Sequence, residues 1–315
     1  MPAPDLRIHD NQVACISDMD GIPVRSDVLS TNAKGEQKAP AQKRTRKILQ
    51  KLGPALRHLL QPGESLLFVT KARSPLSVLE QLTAAWWTAA LAACVIVATN
   101  KRILFFPVKS NGSWRESVRA VQWGDLNEIK GNGWLVRNVR FGFKNGTKST
   151  YTNFRRDDAK KLTGIASALI PAASGEQTPS HGPVQLCPDC RERLTEGQYS
   201  CLNCGLNFKN EKTMILRSIF LPGGGYFYTG HPLVAILPAI IEALFAVEII
   251  VILLAGLASP QAVPALLNSV LILGVFWALE TGVTILHCRR YIRDFIPEKR
   301  DPTRMHQSTV LKTGD

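Results

Sequence analysis

The stretch Leu216–Pro232, LRSIFLPGGGYFYTGHP, leads into two long apolar runs and a closing Leu286–Phe295, LHCRRYIRDF, and this region decides how the chain is organised. The runs cover Pro232 to Leu257 and Val263 to Cys288, and each exceeds the roughly 20 apolar residues with which a helix crosses a bilayer core. Between them lies Ala258-Ser259-Pro260-Gln261-Ala262, uncharged and holding a proline that no continuous helix would keep. The pattern predicts a tight transmembrane hairpin. Lys209, Lys212 and Arg217 precede it, Arg289, Arg290, Arg293, Lys299, Arg300 and Arg304 follow it, and the connecting loop has no basic residue. Cytoplasmic flanks collect Lys and Arg, so both termini are expected in the cytoplasm of a multi-pass inner-membrane protein.

The chain has 315 residues and a formal net charge of +13. Beside a membrane hairpin, that excess reads first as exposure to anionic lipid and second as a nucleic-acid footprint. The first residues lack a basic region followed by an unbroken apolar run, which excludes a cleavable secretory signal there. Residues 1–41 mix polar residues with short apolar pieces and predict a disordered tail. Residues 42–61 form a basic amphipathic stretch, with Ile48, Leu52, Leu56 and Leu59 on one face, which Gly53-Pro54 is expected to bend or break. That helix either lies on anionic lipid or packs on the next domain with a solvated basic face.

From residue 62 to 170 the chain reads mostly as strand. Glu64–Lys71 is one strand, and Cys94–Val108 gives two that turn at Asn100-Lys101. Short strands follow at Ser113–Val121, Leu126–Ile129, Trp134–Arg137 and Val139–Lys144, and Asn145-Gly146 turns into Thr147–Phe154. A helix over Asp157–Ile170 closes the set, with Leu162, Ile165, Ala166 and Leu169 on one face. Residues 75–93 are a helical insertion that packs in the core, sets Trp86 and Trp87 at the lipid headgroups, or, through the uncharged Leu82–Thr99, crosses the membrane against the orientation rule. The Thr99–Leu104 string TNKRIL and the aromatic-x-Asp-Leu string at Trp123–Leu126 resemble the bacterial pleckstrin-homology-like (PH-like) domains. The resemblance implies a curved β-sheet of about seven strands capped by a C-terminal helix, which binds partners or, in some members, lipid head groups, and does no chemistry.

Residues 171–184 form a linker, and residues 185–208 carry the strongest chemical signal. Cys187-Pro-Asp-Cys190 and Cys201-Leu-Asn-Cys204-Gly205 are two Cys-x-x-Cys knuckles that let four thiolates converge, and Gly205 relaxes the second turn. The segment resembles the short zinc ribbons of bacterial proteins, which implies structural Zn2+ on Cys187, Cys190, Cys201 and Cys204. Intervening Arg191–Ser200 balances its charges, so nucleic acid is not expected as a partner. The six histidines are scattered, and no nucleophile elbow or phosphate loop occurs, so the chain reads as a non-enzyme.

Pro222-Gly-Gly-Gly225 followed by Phe227-Tyr-Thr-Gly230 resembles the lead-in motif of two-helix membrane modules. It implies an amphipathic or re-entrant helix over residues 213–231, ahead of transmembrane helices at 232–257 and 263–288 and a basic cytoplasmic tail at 289–315. Glu242, Glu248 and Glu280 fall inside the spans, and Glu242 and Glu280 reach similar depth. Each costs about 2.5 to 3.5 kcal/mol in mid-helix, so all are expected to face protein. The leading expectation is a multi-domain membrane-anchored adaptor or sensor whose partners are the bilayer, a protein of unknown identity and a second copy of the chain. Ion or proton coupling through the three carboxylates, and a membrane-tethered nucleic-acid binder, are the alternatives.

Overall fold

A computed structural model describes residues 16–29, 31, 35–37, 39–84, 92–132, 137–173, 182–258 and 263–298. Trp86, Trp87 and residues 299–315 of the expected basic tail lie outside the described residues. The chain divides into two compact units, one ending at Gly205 and one whose main body begins at Leu206.

The first unit contains β1 (Ile16–Asp18), β2 (Pro23–Arg25), α1 (Ser26–Leu29), α2 (Ala39–Leu59), β3 (Leu66–Arg73), β4 (Ala93–Thr99), β5 (Arg102–Pro107) and β6 (Val118–Gln122). It continues with β7 (Leu126–Asn132), β8 (Arg137–Phe143), β9 (Lys148–Phe154), a helix at Arg156–Ala173, β10 (Val184–Leu186) and β11 (Arg193–Leu194). A further helix, α3 (Val78–Ala84), follows β3, so the helix at Arg156–Ala173 is α4. The strands join one 11-stranded sheet along the path β11-β10-β6-β5-β4-β3-β9-β8-β7, with β2 and β1 branching from β3. Pairing is antiparallel except for the step Val24↔Leu66 between β2 and β3. Strands β3 to β9 fall at places read from the sequence, although β6 begins at Val118 and not Ser113, and residues 134–136 of the separate strand expected at Trp134–Arg137 lie outside the described residues while Arg137 opens β8; β1, β2, β10 and β11 are additional to the expected seven.

On either side of the Thr99–Arg102 turn, the segments CVIVA and ILFF are continuously apolar because the sheet is covered on both faces. Ile96, Ala98, Ile103 and Phe105 point into a cluster with Leu162, Ile165 and Ala166 of α4. Their neighbours Val95, Val97, Leu104 and Phe106 point the other way, into a cluster with Ile48, Leu49, Leu52 and Leu56 of α2. Leu52 and Leu56 are fully buried, and losing either to alanine removes about 2 to 5 kcal/mol. Of the two expected roles for the basic helix, packing on the domain is therefore the one observed. The helix also runs unbroken through Pro54, so of the expected bend or break the break does not occur. A proline removes one amide donor, and the apolar face retains its burial on both sides of it.

The expected disordered tail needs a larger correction. Residues 16–29 hold β1, β2 and α1, and Ile22, Val24 and Leu29 are core residues. These pieces are too short to show a period on their own. They gain order by docking on an edge of β3, a long-range event that a local pattern does not reveal.

The string Thr99–Arg102 is where the unit is tied together. The Arg102 guanidinium donates to both carboxylate oxygens of Glu64 at 3.0 Å and to the Leu59 carbonyl at 2.8 Å. Thr99 donates its hydroxyl to Glu64 at 2.7 Å, and Trp123 donates its indole N–H to the Thr99 carbonyl at 2.9 Å. Asn100 accepts from the Ser65 N–H and donates to the Gly63 carbonyl, while Lys101 donates to the Pro62 carbonyl. Arg102 is 3% exposed and Glu64 1% exposed, so removing one partner leaves an uncompensated buried charge and costs about 3 to 5 kcal/mol. Arg102→Ala is expected to lower the unfolding free energy of the full chain by that amount, followed through tryptophan fluorescence in denaturant. A shift below about 1 kcal/mol would show that the pair is dispensable.

Candidate functional site

The four cysteines converge as their spacing requires. The Sγ atoms of Cys187, Cys190, Cys201 and Cys204 all lie within 4.8 Å of one another. Cys187 and Cys204 approach at 3.5 Å, Cys190 and Cys201 at 3.4 Å, and none forms a disulfide. Four thiolates about 2.3 Å from a tetrahedral ion stand roughly 3.8 Å apart, so the group fits a bound metal without rearrangement. The two knuckles share one turn geometry. Arg191 N–H donates to the Cys187 carbonyl at 3.0 Å, and Gly205 N–H to the Cys201 carbonyl at 2.8 Å. Both donors are left-handed, Arg191 at φ 66° and Gly205 at φ 72°. Gly205 takes that conformation without strain, as its position predicts, whereas Arg191 bears a steric penalty.

The cysteine segment is built into the sheet. In β10, Val184, Gln185 and Leu186 pair with Ala120, Arg119 and Val118 of β6, and Leu186 enters the α2 core cluster. Two further bonds fix the knuckle to the end of α2. The His58 ring nitrogen Nε2 stands 2.5 Å from the Asp189 carbonyl, and Arg191 donates to the Leu60 carbonyl at 3.4 Å. Neither His58 nor Arg191 stands out in the sequence. The one usable signal is that Arg191 follows Cys190 as Gly205 follows Cys204.

The second unit contains α5 (Glu211–Phe220), α6 (Gly224–Thr229), α7 (Pro232–Ala258) and α8 (Val263–Arg293). Helices α7 and α8 are both long and apolar enough to cross a membrane. The single lead-in helix expected before them is two helices, broken at Leu221–Gly223, where Pro222 and left-handed Gly223 stop α5. The glycines there are needed for close approach. A Cβ on Gly223 would lie 2.6 Å from the Ala235 carbonyl oxygen, and one on Gly224 would collide with the Arg217 carbonyl oxygen. Gly225 packs on Ser218, Thr284 and Cys288.

The three carboxylates separate into different roles. Glu242 is 1% exposed and accepts the Gly223 N–H at 2.7 Å, which satisfies a buried amide at the start of α6. It also interacts with Glu280, which accepts from the Thr284 hydroxyl at 3.3 Å, so the two carboxyls do meet at one level. Glu248 is exposed on the surface of the chain, so within the chain only Glu242 and Glu280 face protein. Further polar contacts join the helices: the Tyr226 hydroxyl lies 2.5 Å from His287 Nδ1, and Thr229 stands 3.2 Å from His231 Nδ1.

No family model matches the chain, and no curated protein matches it. The cysteine geometry predicts about one metal ion per chain by elemental analysis of the protein purified in detergent. Cys187→Ser, which removes a fully buried ligand, is expected to bring that ratio near zero. A folded wild-type protein free of metal would contradict the assignment.

Proposed function

We propose that the chain is a non-enzymatic adaptor or sensor anchored in a bacterial inner membrane, with both termini in the cytoplasm. The sheet unit is read as a PH-like binding domain, a reading supported by the β3-to-β9 order and by α4 closing it at the C-terminal end. The cysteine group is read as a structural zinc site, because four thiolates complete a tetrahedral shell and leave no position for a substrate. The observation that carries the proposal is the pairing of β10 with β6. It makes the metal a clamp on the edge of a binding domain.

The hairpin supplies the anchor and a contact surface. Glu248 lies in the middle of α7 and is exposed, and a carboxylate facing lipid costs about 2.5 to 3.5 kcal/mol. That supports a protein neighbour on this face, either a second copy or the partner being recruited.

A second reading, proton or ion coupling, is favoured by one observation. The Glu242 and Glu280 carboxyls interact with each other, and Glu242 Oε1 and Glu280 Oε2 are both buried. Glu242→Gln separates the readings, since it keeps an oxygen for the Gly223 N–H while removing the titratable group. For an adaptor, the tagged full-length Glu242→Gln protein retains the same co-purifying partner as wild type in mild detergent, and neither drives ion flux in proteoliposomes. A wild-type flux abolished by Glu242→Gln and Glu280→Gln would overturn the adaptor reading.

A further inference from the structure

Both long helices of the second unit carry polar groups that make no hydrogen bond among the described residues. Glu248 of α7 is exposed and forms no hydrogen bond or ion pair there. On α8, Trp277 is partly exposed, and its indole N–H has no acceptor. Thr281, one turn further on, is 8% exposed, and its hydroxyl has no partner either. Such groups are costly in hydrocarbon, where no water stands in for a missing partner.

Glu248 and Trp277 also match in depth. Glu242 of α7 interacts with Glu280 of α8, which fixes the level of one helix against the other. Glu248 stands six positions after Glu242 and Gly274 six positions before Glu280, so each lies about 9 Å from that pair toward the connecting loop. Side chains lean toward the start of their own helix. Glu248 therefore leans back toward the Glu242 level, while Trp277 leans the other way, over the turn that holds Gly274. The two side chains converge on one level from opposite directions.

The surface of α8 beside Trp277 has room for another helix. Gly274, Ala278 and Gly282 recur at four-residue spacing, and all three are exposed. A Cβ added at Gly274 or Gly282 would meet nothing within 4 Å, so the described chain leaves both positions uncovered. Small residues at this spacing let helix backbones approach closely in a bilayer. We propose that the hairpin self-associates, Glu248 on α7 of one copy accepting the Trp277 indole N–H across the Gly274–Gly282 face of α8 on the next. Acceptor and donor are complementary, and Glu248 does not meet Trp277 within one chain. Two copies inserted the same way bring the matched depths together without adjustment, which is what selects a second copy over an unrelated helix.

The inference rests on α7 and α8 crossing the membrane, and it names the neighbour of Glu248. Full-length copies carrying donor or acceptor fluorescent tags are reconstituted together in liposomes, and energy transfer is read against the protein-to-lipid ratio. Wild type is expected to give saturable transfer. Glu248→Ala and Trp277→Phe are each expected to weaken self-association on the order of tenfold, while Glu248→Gln, which keeps an acceptor oxygen, retains it. Mixing Glu248→Ala with Trp277→Phe restores one intact pair, so transfer recovers to between the single variants and wild type, a recovery that misfolded variants cannot show. Transfer that rises only with crowding, undiminished association in either single variant, or no recovery in the mixture would overturn the proposal. A different protein held through Glu248, with no association between copies, would overturn it and leave the adaptor reading standing, whereas self-association without any co-purifying protein would do the reverse.

Discussion

The first unit depends on how the last turn of α2 finds partners for its carbonyl groups. A helix end leaves carbonyls without intrahelical donors, and burying them unpaired is costly. Here the Leu59 carbonyl takes Arg102 from the sheet and the Leu60 carbonyl takes Arg191 from the cysteine knuckle. Glu64 holds Arg102 in place through two bonds, and Thr99 and the Gln61 N–H hold Glu64. One helix end thus fixes the covering helix, the β4–β5 turn and the metal segment relative to one another. The buried charges are tolerated because every one of these contacts is made together.

The hairpin solves a related problem with different means. Its lead-in must turn sharply between α5 and α6 against α7, so the backbone has no room for side chains at Gly223 and Gly224. The amide exposed by that turn is buried, and Glu242 reaches it from α7. An acidic group that looks like a functional outlier in an apolar helix therefore also has a structural task. Glu248 makes no such contact among the described residues, which makes it the sharper pointer to a neighbour.

Much of this was legible in the sequence, for identifiable reasons. Strands β4 and β5, the Asn145-Gly146 turn, α4 and the two long helices announce themselves through local period and turn chemistry. The convergence of the four cysteines was likewise legible, because knuckle geometry is local. The docking of β1, β2 and α1 was not legible, nor was the pairing of β10 with β6, since each depends on a sheet edge far away in sequence. The continuity of α2 through Pro54 escaped for the same reason: the burial that outweighs the lost bond comes from the sheet. Within Thr99–Arg102 every residue type was visible, but its meaning required Glu64 and Leu59.

A metal on the four cysteines would hold sheet, α2 and cysteine cluster together as one cooperative unit. Hydrogen exchange on the full chain in detergent, with and without a metal chelator, tests this most directly. Metal removal is predicted to speed exchange not only in residues 184–205 but also in Val118–Gln122 of β6 and in the last turn of α2. Faster exchange confined to residues 184–205, with β6 and α2 unchanged, would contradict it.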